Sequence, residues 1–274
     1  MQFVHDTSVS PETLWGEFSN EHATIPTLVK RHSLSEKTIR TRLDAYEFRM
    51  PAPTPRTMVA VMDATRVGYA WILAVRDPEE RETVYAQEIS VESTSSYQQA
   101  HTDLRRRGFC FSAIVSDGRF VAVHWLFPGI PIQMCHHHQE QIVIRYLTLN
   151  PKLEAGIELL ELARTLPRTD EASFVDAFKL WSKKWHDFLQ EKTIDPETGR
   201  WHWTHKRVRR ARDSVSAHLP FLFTFQRFPE LHIPNTTNSL DGKFKKAKVA
   251  LAVHSGLSHA RQIKLVLSLL FARG

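Results

Sequence analysis

Apolar residues recur along this chain with two different periods, and the switches between them divide it into parts. From residue 10 to 48 the period is helical. The segment "TIPTLVKRH" starts at Thr24, a good N-cap, and Pro26 fits a first helical turn. After "SLS", Ser35 is placed to cap a second helix, "EKTIRTRLDAY", where Ile39 and Leu43 sit four apart and face inward. "MPAPTPRT" (50–57), with Pro51, Pro53 and Pro55, reads as a stiff linker. Strand patterns follow. "MVAVMDAT" (58–65) is apolar on both faces, which predicts a central strand. "YAWILAVRD" (69–77) and "TVYAQEIS" (83–90) come at the short spacing of an antiparallel meander. "SSYQQAHTDLRRRG" (95–108) predicts a helix stopped by Gly108, and "FCFSAIVSDG" (109–118) another buried strand. Residues 151–230 are mainly helical in pattern. Trp181 and Trp185 stand four apart in "FKLWSKKWHDFL", with core packing the first reading and base stacking the second. Residues 235–270 form a long, basic, amphipathic pattern broken at Ser255-Gly256.

Three antiparallel strands, a helix and a parallel strand fit a ribonuclease-H-like mixed α/β core. The length of 274 residues allows one large core plus a small accessory module. Apolar residues at 42% and charged residues at 24% exclude a largely disordered chain. The run "VALAVHSGL" falls short of the roughly 20 apolar residues of a membrane span, and "MQFVHDTSVSPETLW" lacks the pattern of a signal peptide. Two cysteines, Cys110 and Cys135, are too few for a disulfide framework, so a reducing cytoplasm is expected.

Charge is unevenly spread. From Arg200 onward 14 lysines and arginines face Asp213, Glu230 and Asp241, a local net charge of +11, while the preceding residues carry −5. That division fits a polyanion partner, or equally a solvated basic surface. "KRVRRARDS" supplies Lys206, Arg207, Arg209, Arg210 and Arg212 as candidate phosphate contacts. In the second N-terminal helix, Lys37, Arg40, Thr41 and Arg42 make the surface a recognition helix needs, the alternative being a small helical cap.

Asp63 ends the apolar run "VAVMD" and Asp117 ends "AIVSD". A carboxylate at the edge of a buried sheet loses hydration and needs compensation. Two of them on neighbouring strands would repel, and a hard divalent cation would relieve the repulsion. A pair of such ions suits phosphodiester chemistry. Turn capping is the competing reading, since "DAT" and "SDG" are ordinary turn compositions. Among candidate third acids, Glu230 lies between prolines and Asp213 within a basic run. Asp241 stands at a helix start followed by Lys243, Lys245, Lys246 and Lys248, a place between metal ions and DNA phosphates with Lys243, Lys245 and Lys246 as candidate DNA contacts; its competing role is to favour the helix dipole. "CHHH" at Cys135 to His138 is either half of a zinc site or a buried thiol beside an imidazole; no second Cys/His pair has ligand spacing.

"MDAT", "VSDG", "FPGIPIQMCHHH" and "FPELHIPNTTNSLDGKFKKAKVALAVHSGL", in this order, resemble bacterial insertion-sequence transposases of the Mutator-like (MULE-type) DDE superfamily. The resemblance runs from about residue 12 to the C-terminus. It implies a helix-turn-helix at 1–49, the linker at 50–57 and the first part of a ribonuclease-H-like core at 58–150. It further implies a helical insertion at 151–233 and the C-terminal helical part of the core at 234–274. Asp63, Asp117 and Asp241 then match the catalytic acids, Asp241 standing where the family usually has Glu, and would hold two Mg²⁺ ions, with Mn²⁺ as a substitute. Cys135 and His138 match a structural or assisting Cys-x-x-His pair. The implied activity is DNA cleavage and strand transfer at element ends by a homodimer associated with the nucleoid. Two alternatives are an inactive, transposase-derived DNA-binding protein and a nuclease without strand transfer. Some related transposases carry a zinc ribbon ahead of the helix-turn-helix; no Cys pair is found there in this sequence.

Overall fold

The longest strand of the structure, a computed structural model describing residues 9–117 and 125–272, is β1 (Thr57–Val67). Every residue from Ala60 to Ala64 is buried, as the continuous apolar pattern predicts for a strand covered on both faces. β1 is third in a five-stranded sheet ordered β3-β2-β1-β4-β5. The other strands are β2 (Ala70–Asp77), β3 (Glu82–Ile89), β4 (Cys110–Ser116) and β5 (Ile132–Met134). β2 and β3 pair antiparallel, from Trp71 opposite Ile89 to Asp77 opposite Glu82, with a register shift at Val75/Arg76. β4 and β5 pair parallel, so the sheet is mixed. β1 runs four residues past Asp63, so this carboxylate lies inside the strand rather than at the end the sequence predicts. The extension comes from Thr65 and Val67, both β-branched, and from Gly68, whose φ of +63° allows a two-residue turn into β2. Helix α4 (Thr94–Arg106) links β3 to β4; Ser93 caps its start, and Gly108 at φ +89° lies just past its end.

The chain divides into two units. One comprises the residues up to Arg56, Met62–Cys110 and those from Asn238; the other comprises Thr57–Val61 and Phe111–Thr237. β1 therefore contributes residues to both.

The first unit holds α1 (Pro11–Asn20), α2 (Ile25–His32) and α3 (Glu36–Ala45), together with α11 (Asn238–Val253) and α12 (His259–Phe271). Ser10, Thr24 and Ser35 cap the first three helices by accepting the backbone N–H three residues on. Leu28, Ile39 and Leu43 are buried between them. Lys264 on α12 fastens this group. Its ammonium donates to the carbonyl oxygens of Leu43 at 2.9 Å, Asp44 at 3.3 Å and Tyr46 at 2.7 Å, satisfying the end of α3. It also sits 4.7 Å from the centre of the Trp15 ring. Arg261, one turn earlier, grips the Asp44 carboxylate with two bonds of 2.5 Å.

The second unit holds α5 (His136–Leu147), α6 (Glu154–Thr165), α7 (Glu171–Lys184), α8 (His186–Gln190), α9 (Lys206–Leu222) and α10 (Thr224–Arg227). Their shared core includes Val143, Leu159, Phe174, Trp181, Val208 and Phe223. Trp181 is buried and its indole donates to the Ala155 carbonyl, which is the packing role preferred from sequence. α7 stops at Lys184, so Trp185 lies at its C-cap rather than on the same helical face. The helical pattern of 151–230 also hides a hairpin, β6 (Lys192–Ile194) and β7 (Trp201–Trp203). "DPETGR" makes its turn: the Asp195 carboxylate accepts from the N–H groups of Glu197 and Thr198, and Gly199 takes φ +66°.

Replacing Lys264 with Met keeps the apolar stem but removes three bonds to carbonyls. The variant is expected to lose about 1–3 kcal/mol of stability, read as a lower midpoint in urea. An unchanged midpoint would remove Lys264 as the fastener of α3.

Candidate acidic site and nucleic-acid interface

The first unit carries two of the three sequence-predicted acids. Asp63 is 6% exposed, in the interior of β1. Asp241 is half-buried in the first turn of α11. The second unit carries Asp117, half-buried and directly after β4. Their carboxylate oxygens are the donors a hard cation such as Mg²⁺ takes. Among the described residues, however, no group of three or more His, Cys, Asp or Glu is gathered as a metal-binding cluster.

The basic residues on α11 separate by helical period. Lys245 and Lys246 are exposed, whereas Lys248 donates to the Thr65 hydroxyl at 3.0 Å. Lys243 points inward rather than lining a surface. It is 6% exposed and donates to the Ala272 carbonyl just past the end of α12. Burial, with Arg76 and Lys246 nearby, pulls its pKa down to about 8. Arg76 is also buried, donating to the Thr83 hydroxyl at 3.3 Å, and that hydroxyl donates to the Leu270 carbonyl at 2.7 Å. The interior cations thus face the carbonyl end of α12, the negative end of its dipole.

On α3, Lys37 and Thr41 are exposed. Arg40 is exposed but paired with Glu36 one turn back at 2.7 Å. Arg42 is half-buried and donates to the Val9 carbonyl at 2.8 Å, which ties down the segment before α1. On α9, Arg207 donates to the Tyr146 carbonyl at 2.6 Å, and Arg209 to that of Leu189 while lying 3.7 Å from the Trp203 ring centre. Arg212 pairs with Asp213. Lys206 and Arg210 are exposed and make no recorded bond to any described residue. The five cations of "KRVRRARDS" therefore divide into two that bind carbonyls of earlier segments, one paired with its sequence neighbour, and two that face solvent without such a partner among the described residues.

Cys135 and His138 come together at the start of α5 with Thr237, a residue that sequence reasoning did not select. Cys135 is fully buried and is the helix N-cap residue. Its Sγ accepts from the Thr237 N–H and hydroxyl, each at 3.4 Å, and the same hydroxyl lies 3.4 Å from His138 Nδ1. Burial pushes the thiol up, but the hydrogen bonds and charge of His138 and Thr237 outweigh it, and the pKa ends below the ordinary value. Nearby, the N–H of His136 donates to the Asn235 carbonyl at 2.9 Å. The "IPNTTN" segment that leads into α11 is thus pinned to the N-terminus of α5. The arrangement is a buried thiol beside an imidazole.

Sequence reasoning noted the aromatics of "WHW" beside the basic run but missed Lys192 and the hairpin that presents Trp201, because that hairpin is flanked on both sides by strong helical patterns. The signal that could have found it is Asp-Pro and Gly between "TI" and "WHW".

Compared with models of known protein families the chain matches none, and no curated protein matches it. Among the described residues no helix is long and apolar enough to cross a membrane.

The buried Lys243 yields a pH signature. Its folded pKa of about 8 lies below the ordinary lysine value near 10.4, so between these pH values the unfolded chain binds the extra proton. Stability therefore rises with pH across that window, and the penalty for burying charge is complete below it. Relative to Lys243→Met, the wild type is expected to gain on the order of 1 kcal/mol from pH 7 to 9.5. Urea unfolding at both pH values measures the difference; a difference that stays flat would show that Lys243 is solvated.

Proposed function

We propose that the chain is a DNA-processing enzyme with a ribonuclease-H-like core, a transposase of the Mutator-like type. The observation that carries this reading is Asp63, a carboxylate held 6% exposed inside an otherwise apolar strand, third of five in the sheet. Burying a charge there costs stability and needs a functional return or a compensating partner. The order β3-β2-β1-β4-β5, with an antiparallel β2/β3 pair and a parallel β4/β5 pair, supports the core assignment. Asp117, directly after β4, supports it further.

In this reading Asp63, Asp117 and Asp241 hold Mg²⁺. The bound ion would polarise the scissile phosphate and lower the pKa of an attacking water. The reaction itself is balanced without a covalent protein intermediate: water opens one phosphodiester to a 3′-hydroxyl and a 5′-phosphate, and the 3′-hydroxyl then attacks a second phosphodiester. The protein's own residues hold the DNA. Lys206 and Arg210 on α9 and Lys245 and Lys246 on α11 are the exposed cations of the basic part. The turn between α2 and α3, with Ser33 at φ +54°, supports a helix-turn-helix that presents Lys37 and Thr41. Pairing of two DNA ends makes a homodimer on DNA part of the proposal.

The test uses a supercoiled plasmid carrying the DNA that flanks the coding sequence on both sides. Nicking is expected with Mg²⁺ or Mn²⁺, absent in EDTA, and reduced at least ~100-fold by Asp63→Asn or Asp241→Asn, with DNA affinity retained. Joining of a labelled 3′ end to a second plasmid separates strand transfer from hydrolysis alone. Nicking that survives both substitutions would overturn the assigned acids; DNA binding without nicking would leave a transposase-derived binding protein.

A further inference from the structure

The β6/β7 hairpin presents one face that the fold leaves open. The register pairs Ile194 with Trp201 and Lys192 with Trp203, so these four side chains share a face by strand alternation. Trp203 is half-buried beneath Arg209, whose guanidinium lies 3.7 Å from its ring centre. Trp201 meets Trp203 edge-on at 5.3 Å and remains 56% exposed. The Lys192 ammonium hovers 4.4 Å from the Trp201 ring centre, and Ile194 beside it is 68% exposed. Contacts with Trp203 and Lys192 leave more than half of Trp201 open to solvent, more than packing within the hairpin accounts for.

Charge identifies the occupant. Residues 191–210 hold six lysines and arginines against three acids. Two of those acids are engaged: Glu191 with His205 at 2.8 Å, and Asp195 with the turn's backbone N–H groups. Immediately after the hairpin, α9 opens with Lys206 and Arg207 and has no acid in its first turn, the reverse of what the helix dipole favours. Lys192 against the exposed indole, and Lys206 placed against the dipole at the start of the next helix, are suited to a chain of phosphates that also carries flat, unpaired bases.

We propose that this hairpin is a binding site for single-stranded nucleic acid, in which Trp201 stacks on an unpaired base and Lys192, Lys206 and Arg210 contact the adjoining phosphates. The site extends the proposed DNA reading but needs neither metal nor the acidic residues, so it is measured in EDTA. A chain that nicks no DNA yet binds this way keeps this inference and loses the catalytic one.

The full chain is titrated against dye-labelled dT20, an abasic 20-mer of equal charge, and a 20-base-pair duplex, read by fluorescence anisotropy. Wild type is expected to prefer dT20 over the abasic strand by about tenfold, the scale of one stacked base. Trp201→Thr, which keeps a strand-forming residue, is expected to erase that preference and leave duplex affinity within about twofold. Lys192→Gln with Arg210→Gln is expected to weaken dT20 and the abasic strand together and to flatten the salt dependence. Equal wild-type affinity for dT20 and the abasic strand would overturn the proposal whatever the variants do. A Trp201→Thr loss equal on dT20 and duplex would also overturn it. So would a loss seen only on vesicles of anionic phospholipid, which would make the hairpin a membrane contact.

Discussion

β1 is the constraint on which the rest of the structure depends. It is buried on both faces, stands third of five strands, and contributes residues to both units of the chain. The stretch of such a strand that is covered on both faces, here Ala60 to Ala64, is expected to be apolar, because side chains along it are shielded from water. Asp63 breaks the pattern in mid-strand. Local rules that a sequence violates at one buried point are where function is best sought, since packing alone selects against them. Continuation of the strand beyond Asp63 sharpens this. A carboxylate at a strand end can be dismissed as a turn residue, whereas one flanked by buried Met62 and Ala64 cannot.

Much of the fold was legible because hydrophobic period and capping chemistry agreed. The caps at Thr24 and Ser35, inward Ile39 and Leu43, the meander of β1 to β3 and the break at Ser255-Gly256 are all set by local sequence and appear in the structure. The hairpin at 192–203 was not legible, because three-residue strands are too short to establish a period. It could have been reached only through its turn. Strand ends were misplaced for a related reason: alternation fades at Thr65 and Arg66, while backbone pairing continues.

Candidate site residues were less legible, since composition records what charge is present and not where it points. Thr237 shows the limit. It lies 102 residues from Cys135 in sequence, and only folding brings its N–H and hydroxyl to that sulfur. Its partners Cys135 and His138 stood out by their spacing, but a lone Thr in "NTTN" carries no such mark.

The strongly basic C-terminal portion suggested a broad polyanion surface, and the structure narrows it. A cation exerts its full attraction on a phosphate only if no nearer acceptor has claimed it and water, not protein, surrounds it. Arg207 and Arg209 are bound to backbone carbonyls, Arg212 to Asp213, Arg261 to Asp44, Lys264 to the end of α3, and Lys243 lies in the interior. Apart from Arg212, whose partner is its neighbour in sequence, these side chains bridge segments far apart in sequence, and several replace the water that helix ends and loops would otherwise require. What remains for a ligand is a smaller set, of which Lys206 and Arg210 lie on the helix that follows the tryptophan hairpin in sequence and Lys245 and Lys246 lie on the helix that has Asp241 in its first turn. Part of a high net charge can therefore consist of cations that bind the fold's own carbonyls and carboxylates. The part of it that speaks for nucleic acid is the part that structure leaves unspent.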